Sequence, residues 1–206
     1  GTPRPTIRLV KSDDKVSLVN PKSGEDFTEK MIEFAEVKSD YLVSEGICGF
    51  VFKRGSPSCG LERVKVYKDD NPTAQRDGMG LFTKVFTTLY PHIPVIEEGR
   101  LTDPLQAEHF LSRVHFFSDW LAIGNEGWTA SKIMKFHSEN KLFLLSKAPA
   151  AKRILGRLIA DGCDAGDHPD HIALQYMTTA QSHLTNLTNN GQIAHAMEHV
   201  VGRLSV

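Results

Sequence analysis

The sequence is short of cysteine, of charge imbalance and of long apolar runs, and each shortage removes a class of protein. Three cysteines, Cys48, Cys59 and Cys163, are too few for a disulfide scaffold, and their odd number suits a reducing compartment, the cytoplasm. The longest apolar runs, such as 142–145, fall far below the ~20 residues that span a bilayer, so no membrane partner is expected. No signal-peptide pattern is visible. With 24 Lys and Arg against 25 Asp and Glu, the net charge is −1. No global field draws such a chain onto nucleic acid, and any RNA affinity must come from a local patch. What is there is a globular composition, 40% hydrophobic and 24% charged, with 206 residues to build one large domain or two modest ones. The chain opens on Gly1-Thr2-Pro3-Arg4-Pro5 without Met and closes inside an amphipathic pattern, as expected of an internal piece of a longer protein.

Residues 1 to about 100 mix strand and helix signals. Residues 16–19 are a strand candidate stopped by Asn20-Pro21, and Ser23 with Asp26 suggests a helix start. Phe27, Met31, Phe34 and Leu42 trace a helical face that Gly46 closes. The run 47–52, with Cys48 inside it, reads as a buried parallel strand. The polar stretch 68–77, containing Asn71-Pro72, reads as a loop, 80–89 as a helix and 93–96 as a strand that Pro91 and Pro94 limit to an edge or a strand start. After Asp103-Pro104 strand patterns vanish. Helices are predicted over 104–123, 129–146, 149–160, 171–187 and 192–204, with the linker 161–169 between two of them. The fold class is therefore α/β followed by all-α: a Rossmann-like parallel-sheet domain lacking its N-terminal part, then a helix bundle. The boundary falls near 98–103, dividing the chain into 1–101 and 102–206.

The segment Arg54-Gly55-Ser56-Pro57-Ser58-Cys59-Gly60 carries the clearest chemistry. It follows a predicted parallel strand, where open α/β sheets place their ligands. Gly55 and Gly60 permit unusual backbone angles, and Pro57 beside Ser56 suggests an exposed tip. Lys53 and Arg54 close to Cys59 would favour a thiolate, which serves as a nucleophile or a metal ligand. The residues alone leave open a structural cysteine in a tight turn.

The run Phe50-Val51-Phe52-Lys53-Arg54-Gly55-Ser56-Pro57-Ser58-Cys59-Gly60 resembles the Ser-Pro-Ser-Cys-Gly loop of the TudS-like thiouracil desulfidases. Gly1-Thr2-Pro3-Arg4-Pro5 resembles the segment just after that family's Cys-Pro-Glu motif. Asp77-Gly78-Met79-Gly80-Leu81-Phe82 and Glu97-Glu98-Gly99-Arg100-Leu101-Thr102-Asp103-Pro104 are similar to its longer members, in which a YbgA-like helical domain follows. Phe136-His137-Ser138-Glu139-Asn140-Lys141-Leu142-Phe143-Leu144-Leu145 and Leu155-Gly156-Arg157-Leu158 are similar to that second domain. The resemblance implies an incomplete desulfidase domain over 1–101, a truncated helical domain over 102–206, and removal of sulfur from 4-thiouridine in tRNA (the RudS type). It implies a non-redox hydrolysis in which a 4Fe-4S cluster, held by three cysteines, offers one open iron as Lewis acid to the thiocarbonyl sulfur. By this likeness Cys59 is the third cluster ligand, Ser56 and Ser58 lie near the open iron, and Ser56 contacts substrate or water. The first two cluster cysteines and the glutamate of the motif fall upstream of Gly1, so the chain alone is expected to be inactive. Cys48 and Cys163 match no family ligand.

Lys132, Lys135, Lys141, Lys147, Lys152, Arg153 and Arg157 cluster around the second and third predicted bundle helices. Such a run is either a solvated face or an RNA-backbone surface; the likeness to a tRNA-modifying fusion favours RNA, with Lys132, Lys135, Lys152 and Arg153 as contacts. His137 and Lys141 form a polar site or part of a helix surface, and Trp120 and Trp128 are expected as core anchors. His195-Ala196-Met197-Glu198-His199 fits a zinc-protease pattern but arises easily by chance, and the ligand types over 161–171 have no metal spacing. No obligate protein partner is inferred. Two other readings stay open: a non-catalytic RNA-binding or scaffold protein of this descent, and a desulfidase of free thiopyrimidine bases.

Overall fold

The computed structural model describes residues 6–13, 15–68 and 71–187. They divide into an α/β unit, running to Tyr90 and including Val95–Asp103, and a helical unit of Pro91–Pro94 with the chain from Pro104.

In the α/β unit the order is β1 (Arg8–Ser12), β2 (Lys15–Val19), α1 (Thr28–Ser44), β3 (Phe50–Phe52), β4 (Val64–Lys68), β5 (Asn71–Gly78), α2 (Leu81–Leu89), β6 (Val95–Glu97) and a 3-10 turn at Glu98–Thr102. Four strands form a mixed sheet in the order β2-β1-β4-β5, in which only β1 and β4 run parallel. The other sheet is the parallel pair β3 and β6, with Phe52 opposite Glu97. Alternation explains which strand residues turn inward: Leu9, Leu18, Val64 and Val66 are buried with Leu81 as one core, while Lys65 faces water. The start of α1 is tied to β2, because the Leu18 N–H donates to Thr28 Oγ1 at 2.8 Å and the Thr28 N–H to Asp26 Oδ1 at 2.7 Å. Phe82 and Phe86, one turn apart on α2, lie against Phe50 and Phe52 of β3 with ring centroids 5.2 to 6.3 Å apart.

The helical unit comprises α3 (Pro104–Gly124), α4 (Ala130–Glu139), α5 (Lys141–Lys147), α6 (Pro149–Ala165) and α7 (Pro169–His183). Its centre is aromatic. Trp120 stacks on Trp128 at 3.9 Å and on Tyr176 at 5.0 Å, with Phe136 edge-on to both Trp120 and Tyr176. Trp120 is thus the core anchor the sequence suggests, while Trp128 is half-buried over the turn. Gly124 is required beneath it, since a Cβ there would sit 2.4 Å from the indole.

The α/β-then-all-α order agrees with the sequence, but several elements differ. The stretch 68–77 is not a loop: β4 and β5 form an irregular antiparallel hairpin. Polar residues hid it, and Pro72 is tolerated because β5 is an edge strand. β1 was also missed. The strand expected over 47–52 shortens to Phe50–Phe52, leaving Cys48 in the preceding loop, and Val51 is 45% exposed rather than buried. The helix expected over 129–146 breaks at Asn140, whose side-chain amide donates to the Phe136 carbonyl at 3.0 Å and ends α4. Helix α6 runs past residue 160 to the left-handed Gly166, so Cys163 is an exposed residue of its last turn. The expected helix 192–204 and the His195/His199 pattern lie outside the described residues.

Three histidines of the helical unit are held below their ordinary pKa, chiefly by burial: His92, His109 and His137, the last also opposed by Lys141 and Lys152. A histidine buried neutral contributes stability above its unfolded pKa of about 6.5, and this stability is lost as pH falls below that value toward the folded pKa. Both tryptophans lie in this unit, so their fluorescence reports its unfolding. The denaturant midpoint should fall between about pH 7 and 5, and His137→Gln should flatten the decline. A midpoint constant over that range would show that these imidazoles are not buried neutral.

Candidate functional site

The segment after β3 is built as a seat for the first turn of α2. Phe52, 1% exposed, fixes its start. Glu98 clamps the next two residues: its carboxylate takes the Lys53 ammonium at 3.0 Å and the Arg54 N–H at 3.2 Å, and these contacts hold its pKa below the usual range. Arg100 pairs with Glu62 on the far side of the loop. Gly55 then takes a left-handed φ of +64°, open to glycine without strain.

Ser56 closes the turn in two ways. Its Oγ accepts the Cys59 N–H at 3.2 Å, and its carbonyl accepts the Gly60 N–H at 2.7 Å. The Ser56 and Ser58 hydroxyls share a hydrogen bond of 3.0 Å, and Ser58 Oγ lies 3.4 Å from Cys59 Sγ. A chain of hydroxyl, hydroxyl and thiol therefore runs through the loop. The carbonyls of Pro57 and Ser58 accept from Leu81, Phe82 and Thr83 at 3.1, 2.9 and 3.4 Å, satisfying the otherwise unpaired N–H groups at the start of α2. The approach is as close as backbone permits. The Gly80 N–H donates to the Gly60 carbonyl at 2.7 Å, and a Cβ on Gly80 would sit 2.5 Å from the Ser58 carbonyl.

The structure thus brings Ser56, Ser58 and Cys59 together, but it changes two details. Ser56 is not an exposed tip: it is half-buried and its hydroxyl is engaged within the loop, whereas Ser58 carries the hydroxyl nearest the sulfur. The Lys53 charge is paired with Glu98 rather than left to favour a thiolate. Sequence reasoning also missed the Glu98 clamp and Glu97, which is only 6% exposed although it follows an apolar strand and begins an acidic pair.

No group of three or more His, Cys, Asp or Glu side chains among the described residues is arranged to hold a metal. Cys48 lies near the Gly46 carbonyl at 3.5 Å, and Cys163 belongs to the helical unit.

In the helical unit the expected RNA contacts are unequal. The Lys132 ammonium is spent on the Gly127 carbonyl at 2.8 Å, and Lys135 stands 3.9 Å from Glu139. Lys147 pairs with Glu108. Lys152 and Lys141 both act on His137, whose Nδ1 is 3.1 Å from the Tyr176 hydroxyl, so His137 belongs to a buried pair rather than an open polar site. Arg153 and Arg157 line a groove of about 620 Å³ with Asp161, Asp167 and Gln175. No described helix is long and apolar enough to cross a membrane.

No curated protein and no solved structure matches the chain. Over residues 1–98, the stretch that carries the loop, the glycine contact and the acidic clamp, the chain matches the protein family described as 2-thiouracil desulfurase.

Proposed function

We propose that the α/β unit is a desulfidase for thiolated uracil, acting on 4-thiouridine in tRNA, and that the helical unit docks the RNA. The observation that carries the reading is the loop itself: a half-buried cysteine beside a serine hydroxyl, past the end of a parallel strand and seated on a helix start. The family match over residues 1–98 supports the reaction class. Cys59 Sγ would be one of three thiolates holding a 4Fe-4S cluster, with the other two and a catalytic carboxylate from upstream of Gly1. When bound, such a cluster supplies an open iron as Lewis acid toward a thiocarbonyl sulfur.

The residues of this chain have separable tasks. Ser58 offers a hydroxyl at the sulfur, where it can donate to a thiolate and orient a polar atom of the substrate. Ser56 holds the turn that presents both. Gly60 and Gly80 keep the loop on α2, and Glu98 keeps its entry in place. On the helical unit Lys135, Lys152, Arg153 and Arg157 would meet phosphates, with Lys132 contributing less because it caps the preceding turn. The setting is the reducing cytoplasm. The family description names thiouracil, which favours a second reading in which the free thiolated base is the substrate.

In protein expressed from the complete reading frame and purified without oxygen, Cys59→Ala should abolish the brown cluster absorbance and the iron content, while Cys48→Ala and Cys163→Ala keep both. Iron retained in Cys59→Ala would remove this cysteine from the ligand set. With iron content matched, Ser58→Ala should slow single-turnover desulfuration of 4-thiouridine by about 100-fold, the typical loss of one preorganised donor. A rate within about twofold of wild type would leave the hydroxyl with a structural role. Reversing charge at Lys135, Lys152 and Arg153 with Glu should weaken tRNA binding in a filter titration, most strongly at low salt, and spare the free thiobase. Unchanged tRNA affinity would leave the free-base reading.

A further inference from the structure

The two acidic residues at the end of β6 sit in opposite environments. Glu98 clamps the loop from outside. Glu97 is turned inward and is only 6% exposed, and its Oε1 is buried without a hydrogen-bond partner among the described residues. A buried carboxylate with an empty acceptor position is costly and destabilises a fold unless a partner arrives. Such a group in a native fold calls for a partner, a water, an ion or a ligand, that supplies the missing donor.

Its position sets where such a ligand would lie. Glu97 is the last residue of β6 and stands opposite Phe52, the last residue of β3, so it lies at the strand end from which the cysteine loop departs. Neighbouring residues of paired strands point to the same face, which places the Glu97 side chain on the face of Phe50 and Phe52 that packs against α2. That helix begins where Ser58 and Gly60 seat it. On its first turn Thr83 is fully buried, and its Oγ1 is also unpartnered.

We infer that Glu97 is a substrate-positioning residue that accepts a hydrogen bond from the ring N3–H of a thiolated pyrimidine. This rests on the desulfidase reading. The N3–H lies between C2 and C4, next to the carbon that carries sulfur in either thio isomer, so fixing it orients the thiocarbonyl. It also explains selection for a uracil-type ring: at the corresponding position cytosine carries an unprotonated nitrogen, which would face the carboxylate lone pairs.

The test compares wild-type protein, purified with its cluster, with Glu97→Met, which has similar length and no carboxylate acceptor, and with Glu97→Gln, which keeps one acceptor oxygen. Substrates are 4-thiouridine and N3-methyl-4-thiouridine, with iron content and melting temperature measured on every sample. Wild type should prefer the unmethylated nucleoside by about 100-fold or more in kcat/KM, because a site built to bond a donor rejects the analogue that lacks it. Glu97→Met should lose about 10- to 100-fold on 4-thiouridine, treat both nucleosides alike, and melt no lower than wild type. Glu97→Gln should recover part of the preference. A Glu97→Met protein that keeps the preference overturns the inference. So does one that melts lower with unchanged kinetics, which would mark a structural carboxylate. Iron-replete wild type that desulfurates 2-thiouracil but ignores N3 methylation overturns it and leaves the desulfidase reading intact. Iron-replete wild type that desulfurates neither base nor nucleoside overturns both.

Discussion

The α/β unit depends on one close approach of two backbones. The turn from Ser56 to Gly60 lies against the start of α2 so tightly that a methyl group on Gly80 would strike the Ser58 carbonyl and the Gly60 nitrogen, and the loop carbonyls become the helix cap. A short helix such as α2 gains much from having its first N–H groups satisfied. Here the donors go to Pro57 and Ser58 instead of to a capping side chain. The same contacts set the direction of α2, and with it the packing of Phe82 and Phe86 on β3. Cys59 is held in the middle of this arrangement. Its presentation is a consequence of backbone geometry more than of its own side-chain contacts.

Adjacent carboxylates at the end of β6 serve that arrangement in opposite ways. Glu98 begins the 3-10 turn, faces solvent and pins Lys53 and Arg54. Glu97 is still in the strand, and its register sets it beside Phe52. One residue of register separates a carboxylate whose charge is neutralised at the surface from one buried without a partner for Oε1.

In the helical unit the charges are largely committed to local work. Lys132 holds the turn before α4, Lys147 pairs with Glu108, and burial, aided by Lys141 and Lys152, holds the His137 pKa below its ordinary value. The aromatic stack of Trp128, Trp120 and Tyr176 gives α3 and α7 a common core, and the Tyr176 hydroxyl finds its partner in His137. Arg153 and Arg157 of α6 line a groove together with Asp161 and Asp167, so its charge is mixed.

The sequence by itself determined the order of layers, the change to helices at Pro104, and the grouping of Ser56, Ser58 and Cys59. Helical periodicity, proline at a helix start and a compact turn motif are local signals, readable without knowing what lies across the fold. The hairpin of β4 and β5 was illegible because its burial is one-sided and its residues are mostly polar, so only pairing with β1 makes it a sheet. The break at Asn140 was hidden by an apolar pattern that continues through it. The Ser56 and Ser58 contacts with Cys59 are local and follow from the turn's own conformation, whereas tertiary structure alone decided that Glu98 clamps the loop and that Glu97 is buried. Each of these depends on partners brought together by folding, 38 to 45 residues apart in the case of the loop's acidic clamps, and on the direction in which a side chain leaves its strand.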